Sequence, residues 1–292
     1  MSTRHRLSAL LLATLCLGPA SAAHAAEPAA ANVVQAASSA TETAKGSAAA
    51  AAVTKAVARE VRTAVNRVPG APEAGPLKRA DLSRAGSASV DLGSVTLGLP
   101  AAGAPTVQSR IAIYPSSTPS SRIAVQSFKG GMRALINISG PEAPERYEFP
   151  FGGEVASLSL EPDGRVTTLN ASGDVIGVVD APWARDAKGV TVPTHFEVQG
   201  TTLVQVVNHR GGNFTYGITA DPSFWKIAKC AASVGALFFV GAKAYKVIKS
   251  LGGVWQAARL LVGAGNWYDF AATIGHASAA ALGTAAVKQN CF

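Results

Sequence analysis

Residues 229–246 read KCAASVGALFFVGAKAYK. Thirteen uncharged residues, 230–242, lie between Lys229 and Lys243. As a helix this run covers about 20 Å, short of the roughly 30 Å apolar core of a bilayer. At 100° per residue Ile227, Cys230, Val234, Leu237, Phe238, Gly241, Tyr245 and Ile248 fall on one face, while Lys226, Lys229 and Lys243 lie off it. A one-sided stripe that includes a cysteine predicts a packed helix rather than a membrane span. Phe239 falls well off that face, beside Ala228 and Gly235. It is therefore free for the neighbouring domain, a lipid surface or a partner.

Working outward, Asp221-Pro222-Ser223 precedes the run. Asp221 or Ser223 can cap a helix, because a side-chain oxygen accepts from an orphan amide one turn on. A helix is thus expected from Phe224 to Lys249. Gly252-Gly253 ends it, residues 254–262 (VWQAARLLV) form a short second helix, and a third is expected over 267–288. Cys230 and Cys291 are the two cysteines outside the N-terminal apolar run, and in an exported chain such a pair predicts one disulfide. Bonded cysteines need Cα atoms about 5–6 Å apart. The first and third helices must then run antiparallel, as a disulfide-closed hairpin with a short crossing helix. Closing that loop contributes about 4 kcal/mol by the chain-entropy model.

Residues 89–220 carry short runs rich in β-branched and aromatic residues, such as RIAVQSF, RALINIS and TLVQVVN. Turn signals separate them: Pro162-Asp163-Gly164, Ser172-Gly173-Asp174, Gln199-Gly200 and Arg210-Gly211-Gly212. That spacing predicts an antiparallel all-β domain, a sandwich or rolled meander. The fold class is α+β: this domain followed by the helical domain 221–292.

Residues 26–88 are an Ala-rich low-complexity segment. Its first part, 26–46, has no apolar period and reads as disordered. Over 47–68, Val53, Val57, Val61, Val65 and Val68 recur every three or four residues, the stripe of a helix that Pro69-Gly70 stops. So narrow a stripe favours a loosely held helical linker over a docked helix. Residues 69–88 are the linker proper. Residues 1–25 read as a cleaved signal peptide: Arg4, His5 and Arg6, then the apolar run LSALLLATLCL over 7–17, then Ala23-His24-Ala25 as the cleavage pattern. Cys16 leaves with it. The expected localisation is secreted.

Residues 221–292 carry seven Lys/Arg against two Asp/Glu, a balance of +5, while 89–220 carry nine against eleven. The tail also holds ten of the nineteen aromatic residues. Cationic, aromatic helices suit an anionic membrane or cell-envelope surface. The contact residues expected are Lys226, Lys229, Phe239, Lys243 and Lys246. The lysines are scattered and no nucleic-acid motif occurs, which argues against a nucleic-acid partner.

No HExxH, G-x-S-x-G or P-loop is present. His195 and Glu197 share a strand face and His209 follows, a set that would serve as metal ligands or acid and base only if the three converged. Solvent-facing strand residues are the simpler reading. Trp183 suits a sugar or peptide contact, or a cap on the β core. The expectation is a non-enzymatic chain with no cofactor.

The stretch DAPWARDAKGVTVPTHFEVQGTTLVQVVNH (180–209), then YGITADPS (216–223), resembles a segment of secreted bacterial proteins. In that group a small β region runs through an ADP junction into a helical tail with two cysteines. The tail's K-C start, LGGVWQAARLL middle and C-F end are similar to theirs. The likeness covers roughly residues 145–292 and implies export; it brings no activity or site. In size and composition the tail also resembles helical bacteriocins. The function expected is therefore a secreted protein with a membrane- or envelope-active tail, antimicrobial or toxin-like. The alternative is a binding or structural module whose tail is an ordinary soluble domain.

Overall fold

Three apolar runs explain the layering: IAIY at 111–114, IAV at 123–125 and ALINI at 134–138. A half-exposed strand alternates apolar with polar, so runs apolar at consecutive positions need cover on both faces. A computed structural model describes residues 29–77, 82, 89–91, 94–116, 118, 120–225 and 227–292. The expected signal peptide and Lys226 lie outside the described residues.

Helix α1 (Ala29–Asn66) precedes fifteen strands among the described residues: β1 (Ser89–Asp91), β2 (Val95–Gly98), β3 (Thr106–Gln108), β4 (Ile111–Pro115), β5 (Ser121–Phe128), β6 (Gly131–Ile138), β7 (Arg146–Gly153), β8 (Ser157–Leu160), β9 (Val166–Leu169), β10 (Val175–Val179), β11 (Trp183–Arg185), β12 (Thr194–Gln199), β13 (Thr202–Val207), β14 (Ile218–Asp221) and β15 (Ser223–Trp225). Six helices follow: α2 (Ala228–Val240), α3 (Ala242–Ser250), α4 (Val254–Ala264), α5 (Trp267–Ile274), α6 (His276–Ala280) and α7 (Ala285–Cys291). The class is α+β. Residues 49–292 cluster as one unit, described here; of the residues before Ala49, those from Ala29 onward are helical.

The strands form two antiparallel sheets. One has the order β1-β2-β7-β13-β12. The other has the order β3-β4-β5-β6-β15-β10-β9-β8, with β14 joining β6 to β11. A shared core lies between them, in which Leu97, Phe149 and Leu203 of the first sheet meet Ile123, Ile136 and Phe224 of the second. Period-two geometry sends the intervening residues to the other face. There Ile111, Ile113, Ala124 and Leu135 form a second apolar surface, and Val57, Ala58, Val61 and Val65 of α1 bury it.

This corrects two expectations. The valine stripe belongs to a docked helix, not a loose linker, because the narrow stripe meets an equally narrow strip of sheet. Three buried valines stabilise that contact by about 5 kcal/mol. Asn137 adds a polar pin, its Nδ2 donating to Glu60 Oε2 at 2.9 Å. Helix also begins at Ala29, well before residue 47 and inside the stretch read as disordered. Its alanine content favours helix without any apolar period.

The Asp221-Pro222-Ser223 junction is a third correction. It caps no helix. Ile218, Thr219 and Ala220 pair with Ile138, Asn137 and Ile136, and Ser223, Phe224 and Trp225 pair with Arg133, Met132 and Gly131. Pro222 has no N–H, yet its carbonyl accepts from Ala134 N at 3.0 Å, so β14 and β15 behave as one interrupted strand. Phe224 and Trp225 therefore belong to the sheet.

Six short helices stand in place of the three continuous ones expected. Gly241 is extended (φ −154°, ψ 129°) and separates α2 from α3. Gly275 has φ 87°, a conformation open to glycine at little cost, and it ends α5 inside the expected third helix. Asn266 caps α5, its side chain accepting from Asp269 N at 2.9 Å. Cys230, one turn into α2, is bonded to Cys291 at the end of α7, with Cα atoms 4.6 Å apart. The apolar faces meet in a core of Val234, Ile248, Leu261, Phe270, Leu282 and Val287, which continues into Phe128 and Trp225 of the second sheet.

Candidate functional site

Where the helical tail meets the sheet, the contact is partly charged. Asp180 follows β10, and its Oδ1 pairs with Arg259 Nη1 of α4 at 2.9 Å. Its Oδ2 accepts from Trp225 Nε1 at 2.7 Å. The Arg259 guanidinium also lies 4.6 Å from the Trp225 ring centroid. Burial raises the Asp180 carboxyl above its ordinary value, and Arg259 and the Trp225 N–H pull it partly back. Deeper in the sheet sits Arg133, only 1 % exposed, with Nη2 donating to the Pro72 carbonyl. It faces Asp221, also 1 % exposed, which accepts from Ser223 Oγ. Burial pushes Asp221 up to about 7 against the opposing pull of Ser223 and Arg133. Asp163 and Arg165, on the turn before β9, bond each other at 2.7 Å and complete this charged wall.

The expected His195, Glu197 and His209 set does not come together. His195 stands in the open beside Glu197, Nε2 to Oε1 3.5 Å, and Arg146 clasps Glu197 through two bonds of 2.9 and 2.7 Å. That clasp lowers the Glu197 carboxyl. His209 is buried elsewhere: its Nε2 lies 3.2 Å from the Ala143 carbonyl, and its Nδ1 lies 3.4 Å from Tyr216 Oη. Among the described residues no three His, Cys, Asp or Glu side chains group as a metal site. Acid–base or metal hydrolysis by this set is set aside.

The expected contact residues separate into two places. Phe239 is 88 % exposed at the end of α2, just before the Gly241 corner. Lys243 and Lys246 are exposed one turn apart on α3, which turns Ala244 and Ile248 inward. Lys229 is exposed at the other end of α2, beside Cys230 and about 15 Å of helix away. Three residues join the corner that the sequence reading left out. Phe238 stacks edge-on with Phe239 at 5.7 Å and tilted on Tyr245 at 4.6 Å. Lys249 Nζ lies 6.0 Å from the Tyr245 ring. Tyr245, expected on the buried face, is exposed, because the Gly241 break rotates α3 relative to the α2 stripe. The signal available in the sequence was that break, with Tyr245 and Lys249 four residues apart beyond it. The corner thus presents a small aromatic cluster with Lys249 beside Tyr245, and Lys243 and Lys246 are exposed on the same helix. Among the described residues no helix is long and apolar enough to cross a membrane.

No protein-family model, curated protein or solved structure matches this chain.

Proposed function

We propose that this is an exported, non-enzymatic protein whose helical tail binds an anionic membrane or envelope surface, in an antimicrobial or toxin-like role. The observation that carries the reading is the corner at Gly241, where Phe239 stands almost fully exposed against Phe238, which also stacks on Tyr245, and the adjoining helix α3 exposes Lys243, Lys246 and Lys249. Aromatic rings suit the headgroup boundary, and lysines suit anionic headgroups. Burying one phenylalanine is worth about 2 kcal/mol, and each lysine near the surface about 1 kcal/mol. The sum, about 5 kcal/mol, is the scale of reversible surface binding rather than permanent insertion. In this reading the stapled tail works as a helical hairpin. The Cys230–Cys291 bridge holds its root and the Gly241 corner is its tip.

Sedimentation of the full chain with vesicles of phosphatidylglycerol and phosphatidylcholine tests this. Binding should rise with the anionic fraction and fall with salt. Phe239→Ser and the pair Lys243→Glu/Lys246→Glu should each weaken it at least tenfold. No binding to anionic vesicles, or equal binding by the variants, refutes it. One observation favours the second reading, a binding or structural module with a soluble tail: the tail core is continuous with Phe128 and Trp225 of the sheet, whose rings lie 4.6 Å apart.

A further inference from the structure

Two clefts share the Asp180–Arg259 pair in their walls. One, of about 260 Å³, has Trp183 in its wall, and the other, of about 290 Å³, has Trp255. Both are also lined by Asp163, Arg165, Asp180 and Arg259, so they adjoin along that charged wall. We infer that the paired clefts form a binding site for a neutral, hydroxyl-rich ligand of the oligosaccharide class, lying across the Asp180–Arg259 pair with a ring in each cleft.

Three features select that class. The shared wall carries two carboxylates and two guanidiniums, so its charge balances, and neither a polyanion nor a polycation gains a net Coulomb attraction there. Acceptor stands beside donor in each pair, Asp163 against Arg165 and Asp180 against Arg259. Vicinal hydroxyls, which both donate and accept, match such an alternation, and a carboxylate keeps lone pairs free after one guanidinium contact. Each cleft has a partly exposed tryptophan in its wall, Trp183 in one and Trp255 in the other, and an indole ring suits the C–H face of a sugar ring. Size then sets the length. Each cleft is below the roughly 300 Å³ at which small-molecule sites begin. A single ring underuses the site, and two or more linked rings engage both halves. Asp163, with its side chain 53 % exposed, and Arg165 sit on the surface turn before β9 and are the wall members least tied into the fold.

The site is separate from the Gly241 corner, so it stands or falls independently of surface binding by the tail. The test is a titration of the full chain, by tryptophan fluorescence and calorimetry, with β-linked neutral tetrasaccharides of glucose, of mannose and of N-acetylglucosamine. A hexuronate tetrasaccharide is the charged comparison. At least one neutral oligomer should saturate the signal, its disaccharide should bind more weakly, and the hexuronate should bind less tightly than the best neutral ligand. Asp163→Ala and Arg165→Ala should each cut affinity about tenfold, the effect of losing a hydrogen bond to a charged group. Their circular dichroism and vesicle binding should not change. Trp255→Phe and Trp183→Phe should each remove part of the fluorescence response, and no change in either would count against a ring lying in both clefts. Saturation by none of the neutral oligomers, tighter binding of the hexuronate, or full affinity in both turn variants would overturn the proposal.

Discussion

Asp221→Asn should change how the stability of this protein depends on pH. The carboxyl is buried on β14, hydrogen-bonded by Ser223 and facing Arg133, and burial lifts it from 3.8 to about 7. The folded state therefore holds the proton more tightly than the unfolded chain does. Stability from this group is fully present below about pH 4 and is lost as pH rises through about 7, where the folded state must carry a buried charge. A displacement of about 3 units corresponds to about 4 kcal/mol in all, of which about 3 kcal/mol falls between about pH 5 and about pH 8. Asp180 is displaced in the same direction by its own burial and adds to the slope. Asp163 and Glu197 are lowered by Arg165 and Arg146, so stability from them is lost only at more acid pH, outside this window. Asparagine keeps the shape and an acceptor for Ser223 Oγ but cannot ionise. Urea unfolding at a series of pH values should show the natural chain weakening from about pH 5 to about pH 8 by about 3 kcal/mol more than the variant, which keeps only the slope due to Asp180. Arg133 retains Asp180 as a counter-charge, so the slope, rather than the absolute stability, is the quantity to read. A variant with the slope of the natural chain, or a natural chain that gains stability over that range, would refute the reasoning.

Other outcomes follow from the same packing. Reducing the Cys230–Cys291 bridge, or replacing both cysteines with serine, should cost about 4 kcal/mol for a loop of 61 residues, read as a lower unfolding midpoint. Val61→Ala, at a fully buried position between α1 and the sheet, should cost about 2 kcal/mol, whereas a loosely held helix would lose nothing measurable. Arg259→Met should cost about 2 kcal/mol, because Asp180 is left partly buried without its partner; adding Asp180→Leu should recover part of that loss in a double-mutant cycle. Phe239→Ser should leave the unfolding midpoint within about 0.5 kcal/mol, since the ring packs little in the folded chain.

Local pattern revealed most of what is local here. The strands of the β region, the cysteine pair and the place of Phe239 off the core face could all be read from spacing and composition. The misreadings share a cause: each depended on a partner distant in the chain. Asp221-Pro222-Ser223 has the chemistry of a helix cap, but β6 offers Ala134 N to the Pro222 carbonyl, and a ladder outcompetes a cap. The valine stripe of α1 looked too thin to dock until Ile111, Ile113 and Leu135 supplied a matching strip. Single glycines decided the tail. Gly241 and Gly275 interrupt helical periods that their neighbours alone would continue. The Asp180–Arg259 contact joins the end of β10 to a helix, and nothing in either segment announces the other.

The interrupted strand has a mechanical consequence. β15 lies between β6 and β10 inside the second sheet, and α2 begins three residues after its last strand residue, Trp225. The tail is thus rooted in the interior of the sheet and cannot swing on a tether. A load applied at the Gly241 corner reaches the sheet through the backbone at Trp225. It must shear the ladder from Trp225 to Gly131 and Val178, and slide the Trp225 ring past Phe128, before the helices can pull away. Whatever the tail grips, the sheet feels.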